Sequence, residues 1–222
     1  LTIWFVFLAG RTFVRTFDWK DQRTFLTRTI VDGGDSARML INLGGLELGE
    51  GHLDAARRAL EAALRKEPDN PLAQLNLAAV EIRGKKFPAA RARLQKILEP
   101  AEIRARAEES LAVLENRESG TVNTIRLRLA ARLGPPNWEI EQRYIKALAD
   151  LGYPDGAITE LKTCIVAAPY RSESWLAMSE LLLKINRPNE AAVALAEAEA
   201  CDVHLHDRLT KQAEKPAVGQ TL

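Results

Sequence analysis

Cysteine, histidine and aromatic side chains are scarce in this chain: 222 residues hold two cysteines, three histidines and 6% aromatics. Two thiols, Cys164 and Cys201, are too few for a disulfide framework. Cys201, His204, His206 and Asp207 form only half of the paired pattern that structural metal sites use, so the reading there is a frayed helix end and no metal. An excess of one charge is missing too, since 31 Lys and Arg stand against 30 Asp and Glu. That balance excludes a nucleic-acid module living on a uniform basic field, and an acidic disordered tail. G-x-S-x-G, Walker-type glycine loops and H-E-x-x-H are all absent. The pairs Gly33-Gly34 and Gly44-Gly45 lack the strand-then-helix setting of a phosphate loop. These absences predict a chain that is not an enzyme and takes no cofactor.

An apolar run long enough to span a bilayer, about 20 residues, is also lacking. The first ten residues, LTIWFVFLAG, nevertheless carry no charge and are followed by Arg11 and Arg15. A secretory signal would place basic residues before the run and small residues after it. The expectation is therefore that residues 1–16 are the end of a transmembrane helix belonging to a longer protein, as Leu1 in place of Met suggests. The alternative is a buried N-terminal helix or strand.

What is present is a period. In blocks of 34 from Ala37, Leu43-Gly44 falls on Leu77-Ala78, Ala56 on Ala90, Leu60 on Leu94 and Ala63 on Ile97. Later, Ala157 falls on Ala191, Leu161 on Leu195 and Cys164 on Ala198. Pro68 and Pro169 close their blocks at one slot, where proline ends a helix. A middle block fits after a one-residue deletion. The physical content is a pair of helices per block. Small residues in the first helix (Gly44, Ala78, Ala112, Ser179) and at the start of the second (Ala56, Ala90, Ala157, Ala191) permit a close crossing. Large residues such as Leu60 and Leu161 fill the space between blocks. Gly51, Gly84 and Gly152 are expected in the tight turns between paired helices.

This pattern resembles the tetratricopeptide repeat (TPR) family, over residues 37–205. The resemblance implies an all-α fold: an α-solenoid of about five helix-turn-helix units in a right-handed superhelix, at 37–70, 71–104, 105–137, 138–171 and 172–205. Residues 17–36 form a helical half-repeat leading in, and 206–222 a C-terminal tail. Glu47 and Glu81 depart from the family, which usually has an aromatic or aliphatic residue at that slot. The junction from the apolar run through Asp18-Trp19 to Asn42-Leu43-Gly44 is similar to that of transmembrane TPR-containing O-mannosyltransferases and their bacterial relatives.

In such repeats the first helix of each unit lines a concave groove. Asn42 and Asn76, 34 residues apart, make a two-rung ladder whose amides offer both a donor and an acceptor to an extended peptide. This resembles the asparagine ladder of O-GlcNAc transferases, but stops after two rungs, at Ser110, Arg143 and Ala177. The competing reading is that each Asn bonds the neighbouring helix. Arg38, Leu75, Ala79, Arg143 and Lys146 complete the candidate groove set. Trp138 and Trp175 read as packing residues.

From Arg83 to Arg132 there are 12 basic and 6 acidic residues, whereas from Ser172 onward 5 basic face 8 acidic. The basic middle reads as a solvated helix face interleaved with acids, and no nucleic-acid partner is expected. The functional expectation is a protein-interaction scaffold, the C-terminal domain of a membrane-anchored protein, binding a protein or peptide partner. The alternative is an accessory domain presenting acceptor protein to an upstream membrane-embedded glycosyltransferase, with intramolecular contact to it. A third reading is a soluble assembly factor for an envelope complex. The expected location is the bacterial inner membrane. Arg11, Arg15, Lys20 and Arg23 favour a cytoplasmic repeat domain by the positive-inside rule, while the O-mannosyltransferase resemblance implies the periplasmic side.

Overall fold

A computed structural model describes residues 20–202, together with Trp4, His204 and Leu205. Apart from Trp4, the apolar stretch at 1–16 lies outside the described residues, as does the tail at 206–222. The described residues form eleven helices and no strand. None of these helices is long and apolar enough to cross a membrane. The chain divides into two compact units, Leu1–Pro135 and Pro136–Leu222.

The first unit holds α1 (Gln22–Val31), α2 (Ala37–Gly49), α3 (Leu53–Lys66), α4 (Pro71–Arg83), α5 (Phe87–Leu94), α6 (Ala101–Ser119) and α7 (Thr124–Arg132). The second holds α8 (Trp138–Asp150), α9 (Pro154–Ala167), α10 (Ser172–Lys184) and α11 (Pro188–Cys201). Short polar residues open many of these helices by accepting from free backbone N–H groups. Asp21 caps α1, Ser36 α2, Asn70 α4, Asn123 α7 and Asn137 α8. Proline opens α5, α9 and α11 from within the first turn, where its missing N–H has no helical partner to lose.

The turn between paired helices is built four times over with one hydrogen-bond scheme. Gly51 donates to Leu48 and His52 to Glu47; Lys85 donates to Ile82 and Lys86 to Glu81. Gly152 to Ala149 with Tyr153 to Leu148, and Asn186 to Leu183 with Arg187 to Leu182, repeat it. One residue per turn is left-handed: Gly51, Lys85, Gly152 and Asn186. Gly84 lies in the turn between its paired helices, as expected from sequence, where it caps the end of α4 with φ −79. The left-handed slot falls one residue later, 34 after Gly51, on a lysine.

The small-residue crossing is present at atomic detail. A Cβ on Gly44 would stand 2.6 Å from Leu60 Cγ and 3.4 Å from the carbonyl of Ala56. At the same crossing of the last pair, Ser179 Oγ donates to the Ala191 carbonyl at 2.8 Å. Leu60, Leu94 and Leu161 are fully buried behind these contacts. The lead-in helix α1 caps the first pair: Leu26 is buried, and Ile30 packs on Leu40, Ile41 and Ala63.

The third pair departs from the 34-residue frame. That frame opens a block at 105, but α6 opens at Ala101, and α5 stops at Leu94 after eight residues. Pro100 explains the break, because proline has no N–H to give inside a helix but is compatible with its start.

Candidate functional site

Helices α2, α4 and α6, the first helices of successive pairs, stand side by side in the first unit. Arg38 and Asn42 lie one helical turn apart on α2 and are both exposed. Asn76 and Ala79 are half-buried on α4, and the Asn76 amide nitrogen lies 3.7 Å from where a Cβ on Gly45 would be. The Asn76 side chain thus lies against α2 at Gly45. Among the described residues neither Asn42 nor Asn76 has a side-chain hydrogen-bond partner.

Leu75 does not share this face. It is only 4% exposed and packs with Ala78, Ile82, Leu94 and Leu111. One residue is a rotation of about 100° on a helix, which carries Leu75 from the asparagine side into the core. Arg143 and Lys146 are exposed on α8, which belongs to the other compact unit.

A second 34-residue ladder runs through the first unit and is carboxylate. Glu47 and Glu81, which stand where the family has apolar residues, are buried, and Glu115 follows at the same spacing. Each has a cationic partner. Glu47 meets Arg23 at 3.3 Å and also lies 2.9 Å from His52 Nδ1. Arg93 donates to Glu81 through Nη2 at 2.9 Å and Nε at 3.2 Å, and also to the Gln74 side chain. Arg126 donates to Glu115 at 2.8 Å and to Glu108 at 2.7 Å, while Arg91 reaches Glu115 and Glu118. Burial works against the Glu115 charge. The hydrogen bonds from Asn123 and Arg126, with the charges of Arg126 and Arg91, outweigh it and hold the carboxyl below its ordinary value. Burial likewise opposes the Arg126 charge, and Glu108 and Glu115 overcome it and raise its pKa. Three arginines of this basic stretch, Arg91, Arg93 and Arg126, therefore pair with acids of neighbouring helices.

The second unit contains a groove that sequence reasoning missed. About 650 Å³ of space lies between α9 and α11 over α10, lined by Ile158, Ile165, Trp175, Met178 and Leu182, with Lys162 at its edge. Its signal in sequence was faint, because the same residues fit a packing role. Trp175 does pack on the core there, donating its indole N–H to the Pro169 carbonyl at 2.9 Å. Trp138 also packs, with the Arg171 guanidinium 5.7 Å from its ring centre.

The two thiols differ sharply. Burial, then the charge and hydrogen-bond acceptance of Glu141, push the Cys164 thiol up to about 12, so it stays protonated and unreactive. Cys201 is exposed and donates weakly to the Pro169 carbonyl at 3.3 Å. Of its half-motif, His206 and Asp207 lie outside the described residues.

Residues 47–114 match the tetratricopeptide repeat family. No curated protein matches the chain. Among solved structures, the chain is similar to YrrB, described as a TPR protein with an unusual peptide-binding site: 17% identity, 85% of this chain and 97% of that one covered, TM-score 0.50. It is similar to the MamA protein, with 17% identity, 84% and 100% coverage and a TM-score of 0.53. A thermophilic TPR protein of Thermus thermophilus shares 24% identity over 80% of this chain and 97% of its own, with a TM-score of 0.53. At such identities the likeness is one of fold, and the fold is the all-α architecture of TPR helix pairs.

Proposed function

We propose that the chain is a non-enzymatic protein-interaction scaffold that binds an extended peptide along the first helices of its repeats. The observation that carries this reading is the pair Asn42 and Asn76. Two amides with no partner among the described residues stand 34 positions apart on adjacent helices, and each offers a donor and an acceptor to a peptide backbone. Arg38, one turn from Asn42, adds a cation to the same face, which suits a peptide with an acidic or C-terminal carboxylate group. The peptide-binding site in the description of YrrB is consistent with this use of the fold.

The uncharged start of the sequence supports a scaffold tethered to a membrane through its N-terminus. The resemblance of the junction to O-mannosyltransferases supports the alternative of presenting acceptor chains to an upstream glycosyltransferase, on the periplasmic side.

The test begins with unstructured peptides selected from a displayed random library against the wild-type chain. Their affinity for the double variant Asn42→Ala, Asn76→Ala should fall by roughly tenfold or more, from two to four lost hydrogen bonds. Unfolding free energy should move by less than about 0.5 kcal/mol, because neither amide has a protein partner to lose. Unchanged peptide affinity in the double variant overturns the reading.

A further inference from the structure

The end of α2 and the turn into α3 bring three potential metal ligands to one point. Glu47 lies on the last turn of α2, Glu50 caps its end, and His52 precedes α3. Glu47 Oε2 is 2.9 Å from His52 Nδ1, Glu50 Oε2 is 3.5 Å from the same nitrogen, and all three ligand atoms lie within 4.8 Å of one another. The turn that carries them is rigidly closed by the bond from His52 N to the Glu47 carbonyl at 2.8 Å.

A single cationic nitrogen already sits at their centre. Arg23 Nη2, from α1, is 3.3 Å from Glu47 Oε2 and 3.1 Å from His52 Nδ1, and it also donates to Glu50 Oε2. Nδ1 faces both the Arg23 guanidinium, which only donates, and the Glu47 carboxylate, which only accepts, and a metal would take its lone pair. Two carboxylates against one guanidinium leave a net negative charge. The C-terminal end of a helix adds further negative potential at this point.

Equivalent turn positions elsewhere lack the set: they are Glu81, Gly84 and Lys86 in the second pair, and Leu148, Leu151 and Tyr153 in the fourth. The three ligands are therefore specific to the turn that faces α1.

We propose that Glu47, Glu50 and His52 bind a divalent transition metal ion of the zinc class, and that the ion displaces the Arg23 guanidinium. Two carboxylates and an imidazole suit such an ion, with solvent completing the tetrahedron. The ligand atoms close in to about 2.0–2.2 Å by side-chain rotation, and the divalent charge neutralises both carboxylates. Because Arg23 is the contact of α1 with this turn, metal occupancy and the ion-paired docking of the lead-in helix exclude each other. The site is independent of the peptide face on α2 and α4.

The experiment is calorimetric titration of the metal-free 222-residue chain with zinc sulfate. One ion per chain should bind. Groups that only orient a metal ligand are worth about 10–100-fold in metal affinity, so removing a ligand itself, in His52→Ala or Glu50→Gln, should weaken binding by at least that much. Both residues are largely exposed, so helicity and melting in metal-free buffer should match wild type. Arg23→Ala should tighten zinc binding by removing the competitor. Absence of binding overturns the site, as does binding unaltered by His52→Ala. Unchanged or weaker binding in Arg23→Ala overturns the displacement.

Discussion

Glu81, 8% exposed, is held by one edge of the Arg93 guanidinium, with Nη2 2.9 Å from one carboxylate oxygen and Nε 3.2 Å from the other. The pair joins α4 to α5 at a slot where the repeat family has an apolar side chain. Arg93→Ala should therefore lose about 2–3 kcal/mol in urea unfolding, because it leaves a buried carboxylate uncompensated. This sits below the usual cost of breaking a buried pair, since Arg93 is itself a quarter exposed. Replacing both partners, Glu81→Leu with Arg93→Met, should recover most or all of that loss. A double variant as unstable as the single would mean that the carboxylate is not the source of the cost.

Two glycines of one helix should respond to alanine with opposite signs. Gly44→Ala drives a methyl to 2.6 Å from Leu60 Cγ, and Leu60 is fully buried with no room to yield. A net loss of about 1–2 kcal/mol is expected after the gain in helix propensity. Gly49, at the end of α2, has nothing within 4 Å of its added methyl, and Gly49→Ala should gain up to about 1 kcal/mol. Thermal and denaturant unfolding of the two variants measures both signs.

Lys85 occupies the left-handed turn slot at φ 58 that Gly51 and Gly152 fill in other pairs. A side chain there costs roughly 1–2 kcal/mol, partly offset by the lower entropy of a non-glycine residue when unfolded. Lys85→Gly should accordingly stabilise the chain by about 0.5–1 kcal/mol. Gly51→Ala should cost a similar amount. A destabilised Lys85→Gly variant would show that the lysine makes up for its backbone in some other way.

Glu115 makes stability depend on pH in a defined direction. Its folded pKa lies below the ordinary value of 4.5, so the unfolded chain takes up the proton first as pH falls. The stabilisation is complete above that ordinary value and is lost as pH drops through it toward the lower folded value. Unfolding free energies at about pH 7 and about pH 3.5 should therefore differ more for wild type than for Glu115→Gln. An equal difference in both chains would remove Glu115 as a source of acid sensitivity.

Much of the fold is legible in the sequence because it is local and repeated. A small residue at Gly44 or Ser179, a proline at 68 or 169 and a leucine at 60 or 161 each act within one helix pair, and the period multiplies the signal. Gly84 marks the turn of the second pair in sequence, but the left-handed residue of that turn is Lys85, which carries no such mark and is set by the hydrogen-bond register. Leu75 was misassigned for a related reason: composition marks an apolar residue, but one step around the helix separates a groove from a core.

The sequence by itself determined the paired-helix period and the 34-residue spacing of Asn42 with Asn76 and of Glu47 with Glu81, since each depends on residue type and period alone. Only the tertiary structure decided how charges pair. Arg93 with Glu81, Arg126 with Glu115, and Arg23 with Glu47, Glu50 and His52 come from different helices, and in the sequence each is simply one more charge in a balanced total. The energy of an ion pair depends on distance and burial, and both are set by how the helices pack.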